Sequence, residues 1–424
     1  MQTDSNFHVD LKQMILAIET TVDLVGMNDT NHGKRVAFIA TQIANALNWC
    51  EDDIHFVFEL GLLHDCGVST EQMHSSLVNH FDWEDAHIHC EIGYKLLSSF
   101  EPLKKFAMPI FHHHTKYEEL KDLQLEQKDK MMANLIFLAD RIDILSALHY
   151  ENDILFAKQE IVENILRCKD SFFNPTFVEA FYEVQKSEAF WISLEDRHIT
   201  RYTWDMGRYK NNLNLTIEQI KQLSLILSYI VDQKSPFTAQ HSTRVGCLAY
   251  YLAQKINLST LQCQKIQIAG FLHDIGKLHT PDYILEKKGK LTDFERSVMN
   301  QHSFETFQIL RHIQGLEDIA VWAAYHHEHL DRSGYPFQPN ENELSIEARI
   351  IAVADIFQAL AQDRPYRKGM SLEKILEILN EFADIGKVDK DIVQIAIDNK
   401  DKCFDIANGK TKENKQIEKL LFDI

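Results

Sequence analysis

Polar residues recur at fixed offsets in two stretches of this chain, and that repetition limits its possible folds more than any other feature. His32 is followed by Arg35, Val36, Ala40, Ile43, Ala44 and Asn48. His241 is followed, at the same offsets, by Arg244, Val245, Ala249, Leu252, Ala253 and Asn257. The run Gly61-Leu62-Leu63-His64-Asp65-Cys66-Gly67 then matches Gly270-Phe271-Leu272-His273-Asp274-Ile275-Gly276. In each copy 32 residues separate the first His from the His of the His-Asp pair. His89 and His302 follow, and 24 residues after each comes a His pair, His113-His114 and His326-His327. An Ala-Asp step closes each copy, at Asp140 and at Asp355. Chance does not easily place the same polar residues twice inside apolar runs. The sequence therefore predicts two homologous domains, 1–195 and 215–424, joined by a polar linker at 196–214.

Both copies read as helices. After His241 the apolar residues fall at 245, 248, 249, 252, 253 and 256, a helical period. The segment from Leu261 through His273 reads as a helix that stops at Gly276. Thr292 and Glu295 form a capping-box pattern ahead of His302. Ser345 is placed to cap the helix that carries Asp355, and Arg364-Pro365 to end it. No sustained alternation of a strand is visible. With only 15 Gly and 8 Pro in 424 residues, an all-α fold of two helical bundles is expected.

Composition narrows the function. A net charge of −19 argues against a binder of polymeric nucleic acid, which needs a basic face. It does not exclude a small anion held in one positive pocket. No apolar run reaches the length of about 18 residues that a membrane span requires, and no signal peptide is expected from the first residues. The seven Cys form no CxxC pair and read as reduced, mostly buried thiols of a cytosolic protein.

The chemistry sits in His241, His273, Asp274, His302, His326, His327 and Asp355. Each lies near the end of an apolar helical run, and packed helices can aim such side chains at one interior point. Imidazoles and carboxylates suit iron, manganese, nickel or zinc. Two such ions close together are a known solution to phosphodiester hydrolysis, and an Asp can bridge them through its two oxygens. Lys277 reaches the same pocket from three residues beyond Asp274, and Arg364 and Arg367 are placed to grip phosphate oxygens. Asp274 and Lys277 are the expected catalytic residues. Taken singly, any of these His is more often a hydrogen-bonded interior residue; the set, present twice, is what points to metal.

These segments resemble the HD-GYP family, a branch of the HD phosphohydrolases. The resemblance covers about His241 to Arg367: HSTRV at 241–245, LHDIGK at 272–277, HHEHLDRSGYP at 326–336, ARIIAVADIFQAL at 348–360 and DRPYR at 363–367. It implies an all-α fold of two tandem HD-type bundles and hydrolysis of bacterial cyclic dinucleotides, cyclic di-GMP or the hybrid cyclic GMP–AMP. It also implies a metal centre, usually of iron or manganese, held by the seven residues above. Lys277, Arg364 and Arg367 match phosphate-contacting positions. Gly334, Tyr335 and Pro336 match the signature loop beside the substrate, and Asp331 its upstream Asp.

Three departures bear on the site. Phe237 stands where members resembling the trinuclear type carry a Glu, so two metals rather than three are expected. Arg332 replaces the usual Gly after the loop Asp, and Gln358 a common Asp three residues after the last ligand. The first copy resembles the same superfamily with less retained. Its candidate ligands are His32, His64, Asp65, His89, His113, His114 and Asp140. Val68 replaces the lysine, the GYP loop is missing, and His149 stands where Arg364 would be. That copy reads as a metal holder without turnover, or as a degenerate domain serving packing, dimerisation or contact with a signalling partner. Two rival readings of the whole chain are a non-catalytic dinucleotide sensor and an HD nucleotidase.

Overall fold

In a computed structural model the chain is helical almost throughout. The structure describes residues 8–25, 31–79, 81, 86–207, 213–234, 240–363 and 368–422. Two compact units emerge, one spanning Leu11–Leu213 and the other Asn214–Ile424 with the strand Val9–Asp10. Among the described residues the only sheet is the two-residue antiparallel pair of Val9–Asp10 with Asn214–Leu215. The stretch expected as a linker carries the helix Asp196–Gly207, which packs within the Leu11–Leu213 unit on the helix His32–Ala46. Its Ile199 and Thr203 are buried one turn apart, an amphipathic period that the many polar residues around them mask.

The repeat is exact down to backbone conformation. The helices His32–Ala46 and His241–Lys255 are each preceded by a left-handed residue, Asn31 (φ 72°) and Gln240 (φ 71°). Each is followed by another, Asn48 (φ 55°) and Asn257 (φ 59°). Each pairs closely with the next helix, Glu51–Leu63 in the first unit and Thr260–Leu272 in the second. Gly270 makes that crossing possible, since a Cβ there would lie 2.6 Å from the Gly246 Cα.

Helix starts follow the expected chemistry. Thr292 and Glu295 make a reciprocal capping box on Asp293–Met299, and the Ser345 hydroxyl accepts from Ala348 N at the start of Ile346–Ala361. The reading of Gly276 needs correction. The α-helix ends at Leu272, and a 3-10 turn, Ile275–His279, follows the His-Asp pair. Gly276 is required by proximity rather than as a stop: a Cβ on it would lie 2.1 Å from the His302 carbonyl oxygen. Gly67 meets His89 O in the same way, also at 2.1 Å. That close approach seats the His302 helix against the His-Asp turn, and Thr306 ties the two by donating to His273 O (3.0 Å) and accepting from Gly276 N (3.1 Å).

Gly276→Ala is expected to destabilise the protein by about 1–3 kcal/mol, the usual cost of overpacking. The measurement is a thermal melt beside the wild type; an unchanged midpoint would contradict the close-approach argument.

Candidate metal centre and substrate cavity

The seven predicted ligands of the second unit come from separate elements and converge. His241 opens its helix, His273 and Asp274 follow the end of the next, His302 opens a third, His326 and His327 follow Glu317–Ala324, and Asp355 lies inside Ile346–Ala361. All are buried except His327, which is half-buried. Asp274 stands at the centre. Its Oδ2 lies 3.4 Å from His241 Nε2 and 3.3 Å from His273 Nε2. Its Oδ1 lies 3.6 Å from His302 Nε2 and 3.8 Å from His326 Nε2. Asp355 Oδ1 joins the first group, 3.2 Å from His241 Nε2 and 3.8 Å from His273 Nε2. His327 joins the second, its ligand nitrogen within 4.8 Å of those of His302 and His326.

The imidazoles are oriented by their own helices. His273 Nδ1 donates to Gly270 O (2.7 Å), His302 Nδ1 to Met299 O (2.6 Å) and His326 Nδ1 to Ala323 O (2.7 Å). A histidine just past a helical turn can satisfy the carbonyl three residues back, and doing so leaves Nε2 as the free lone pair. His241 Nδ1 instead donates to Gln358 Oε1. Gln358, one of the departures, therefore still orients the ring, without the charge of a carboxylate.

This donor set fits divalent metal. His273 Nε2 and Asp274 Oδ1 are buried and have no hydrogen-bond partner, an expensive arrangement unless a cation occupies the gap. Burial lowers the His302 pKa to about 4 and, with His302 beside it, the His327 pKa to about 3. Both rings are thus neutral ligands near pH 7. Burial works against the Asp274 charge, yet His273 and Lys277 hold its carboxyl well below the ordinary range.

The centre floors a cavity of about 830 Å³. Lys277 lines it and ion-pairs with Asp274. Tyr335 lines it too, with its ring 4.9 Å from that of His327. Other predicted loop residues do different work. Asp331 is exposed, does not line the cavity, and accepts from Ser333 N (2.9 Å). Pro336 is likewise outside the lining. Gly334 is a close-approach position, where a Cβ would meet His327 O at 2.5 Å. Arg332 has φ 64°, which explains why glycine suits that place, and its guanidinium donates to Gln338 O. Arg364, Arg367 and Phe237 lie outside the described residues.

Several working residues escaped the sequence reading. Glu328 is buried and accepts from Phe337 N (2.7 Å) and Gln338 N (3.2 Å), which pins the loop after the His pair. Its place directly after His326-His327 was the available signal. Lys287, Lys290 and Arg296 line the cavity; the basic run at 287–290 was the hint.

The first unit reproduces the constellation. His32 Nε2 lies 3.4 Å from Asp140 and 3.8 Å from Asp65, and His64 Nε2 lies 3.5 Å from Asp65. On the other side His89 Nε2 lies 3.3 Å and His113 Nε2 4.0 Å from Asp65 Oδ1, and His114 Nε2 lies 3.9 Å from Asp140. Access differs. Val68 is fully buried where the second unit has Lys277. Arg141, in the position of Ile356, donates to Asp140 Oδ2 from Nε (3.1 Å) and Nη2 (2.8 Å). The cavities beside these ligands measure only about 10 and 20 Å³.

Comparison with known proteins agrees with this duplication. Residues 30–148 match the HD domain model, and residues 226–392 match a second model described as HD domain. The chain belongs to the HD domain family. The 3'3'-cGAMP-specific phosphodiesterase 1 of Vibrio cholerae is 35% identical over 406 residues, 95% of this chain and 94% of that one. The cyclic di-GMP phosphodiesterase of Thermotoga maritima is 40% identical over 151 residues, 35% of this chain and 41% of that protein. The crystal structure of the cyclic GMP-AMP specific phosphodiesterase V-cGAP3 of V. cholerae superposes with a TM-score of 0.64 at 22% identity, over 96% of this chain and 99% of that one, which establishes the shared all-α fold. HD domains are metal-dependent, and both HD domains here retain His/Asp clusters able to bind metal. Among the described residues no helix is long and apolar enough to cross a membrane.

The second HD domain also predicts a pH response. Burial alone would lower the His241 pKa, but hydrogen bonding to Asp274 and Asp355 raises it to about 9 in the metal-free site. The folded pKa exceeds the unfolded value of about 6.5. This contribution to stability is therefore full below about 6.5 and is lost as pH climbs toward about 9. Chelated protein should show a falling denaturation midpoint over that window, and His241→Gln should flatten the slope. A slope identical in both proteins would contradict the assignment.

Proposed function

We propose that the protein is a cytoplasmic phosphodiesterase that opens a bacterial cyclic dinucleotide to its linear form, with the hybrid 3′3′-cyclic GMP–AMP as the preferred substrate. One observation carries the reaction class: the two oxygens of Asp274 face separate histidine groups on the floor of a cavity large enough for a dinucleotide. The preference for the hybrid is supported by the V. cholerae relative that aligns over nearly the whole of both chains and is named for it.

Two divalent ions, iron or manganese by the resemblance, fit the donor set. His241, His273, Asp274 and Asp355 would hold one, and Asp274, His302, His326 and His327 the other. When bound, such a pair activates water and offsets charge on a phosphoryl oxygen. The chain's own residues do the rest. Lys277 sits beside Asp274 and can donate to the scissile phosphate while its charge develops. Lys290 and Arg296, beside a Lys287 that is ion-paired with Glu295, make this wall positive on an otherwise acidic protein and draw in the second phosphate. Tyr335, Leu291, Met299 and Phe382 supply apolar surface for the bases. Arg364 and Arg367 follow the Asp355 helix in sequence and are assigned to the phosphates by resemblance.

The test is chromatography of products from both cyclic dinucleotides with manganese present. Wild type should yield linear dinucleotide, faster from the hybrid. Asp274→Ala should abolish turnover with the helical circular dichroism intact. Lys277→Ala should cost roughly 10²–10³-fold in kcat, the scale of a lost oxyanion-type donor. Tight binding of the ligand by wild type without any product would replace the enzyme reading with that of a sensor.

A further inference from the structure

The second copy's metal centre is lined by nitrogen and oxygen alone, but the first copy's is not. Cys90 follows His89 where Ser303 follows His302, and its side chain faces the ligands. Cys90 Sγ lies 3.7 Å from His89 Nε2, as Ser303 Oγ lies 3.3 Å from His302 Nε2. His89 Nε2 and His113 Nε2 are 3.2 Å apart. One ligand atom from each of His89, Cys90, His113 and His114 falls within 4.8 Å of all the others. Ligands of a tetrahedral zinc-type ion, with metal–nitrogen and metal–sulfur bonds of about 2.05 and 2.3 Å, stand roughly 3.3–3.6 Å apart. The His89–His113 and His89–Cys90 spacings are close to that, whereas Cys90 Sγ meets His113 at Nδ1 (3.6 Å), the nitrogen that donates to Ile110 O, so a small turn of the Cys90 side chain toward the Nε2 side completes the set. His89, Cys90 and His113 are all buried to 1% exposure or less.

We propose that the first HD domain holds a closed metal site in which the Cys90 thiolate joins His89, His113 and His114, a site that selects a thiophilic ion such as zinc and is structural rather than catalytic. Thiolate ligands favour such ions over manganese, which prefers oxygen and imidazole. Closure has a visible cause: the Arg141 guanidinium forks onto Asp140, and only about 10 Å³ remains beside it. Structural metal sites are closed, whereas catalytic ones keep an open position. In the metal-free protein the thiol donates to Ala86 O (3.3 Å). On binding, that proton is released to solvent and the sulfur lone pair goes to the ion. The two domains would then carry different metals in one chain.

Cobalt substitution of the full chain tests this without reference to turnover. Cobalt-loaded wild type should show thiolate-to-cobalt charge-transfer absorption in the near ultraviolet. The band should persist in Asp274→Ala, which damages only the other centre, and disappear in Cys90→Ser, whose side chain is the one the second copy already carries at Ser303. X-ray absorption of zinc-loaded wild type needs no variant and should show a sulfur scatterer at about 2.3 Å. The absence of both the band and the sulfur scatterer in wild type, or a band undiminished in Cys90→Ser, would overturn the proposal.

Discussion

The second domain is organised around one carboxylate that serves two histidine groups. Asp274 directs Oδ2 toward His241 and His273 and Oδ1 toward His302 and His326, and is itself almost fully buried. A buried carboxylate is costly unless positive charge lies beside it, and Lys277 meets only Oδ2, leaving Oδ1 without a hydrogen-bond partner. The helices flanking it are therefore held where bound metal can satisfy it. The Gly276 contact with His302 O sets the distance between the His-Asp turn and the third ligand helix, and the Gly270 crossing does the same for the His241 helix. Small residues at these points are what bring large polar ones together.

The two copies share a fold and a ligand arrangement but differ in access to it. Both keep the seven ligand positions, the glycines and the histidine-to-carbonyl bonds at His64, His113, His273 and His326. They part at single side chains that border the centre. Lys277 gives one domain a cation in the cavity beside Asp274; Val68 gives the other none. Ile356 leaves space where Arg141 fills it. Asp143, hydrogen-bonded to His32 at 2.7 Å and to Arg35 at 2.7 Å, locks the first imidazole with a charge, while Gln358 does so with a neutral amide. Beside the first domain's ligands the cavities measure about 10 and 20 Å³, against about 830 Å³ in the second.

Much of this was legible because helices keep a fixed period. Equal spacing of His32–His64 and His241–His273 could survive only if the helices between were also kept, so repeat, fold class and ligand set came from one observation. The capping residues Thr292 and Ser345 were equally plain, since their chemistry is local. What escaped depends on packing between elements. Gly276 resembles a helix stop, and only the nearness of His302 O reveals its role. Cys90 looked like one more buried thiol because neighbours on a helix diverge by about 100°, and nothing local tells that His89 and Cys90 both reach the centre from the first turn. Arg141 and Glu328 are ordinary charges in the sequence. Asp331 appeared beside the substrate by resemblance, and here it caps its own loop.

Anomalous diffraction from crystals of the manganese-loaded protein would locate the ions without any assay. Two peaks are expected in the second domain, roughly 3.5–4 Å apart, with one oxygen of Asp274 on each. A single peak there, or a pair in which Asp274 touches only one ion, would contradict its bridging role.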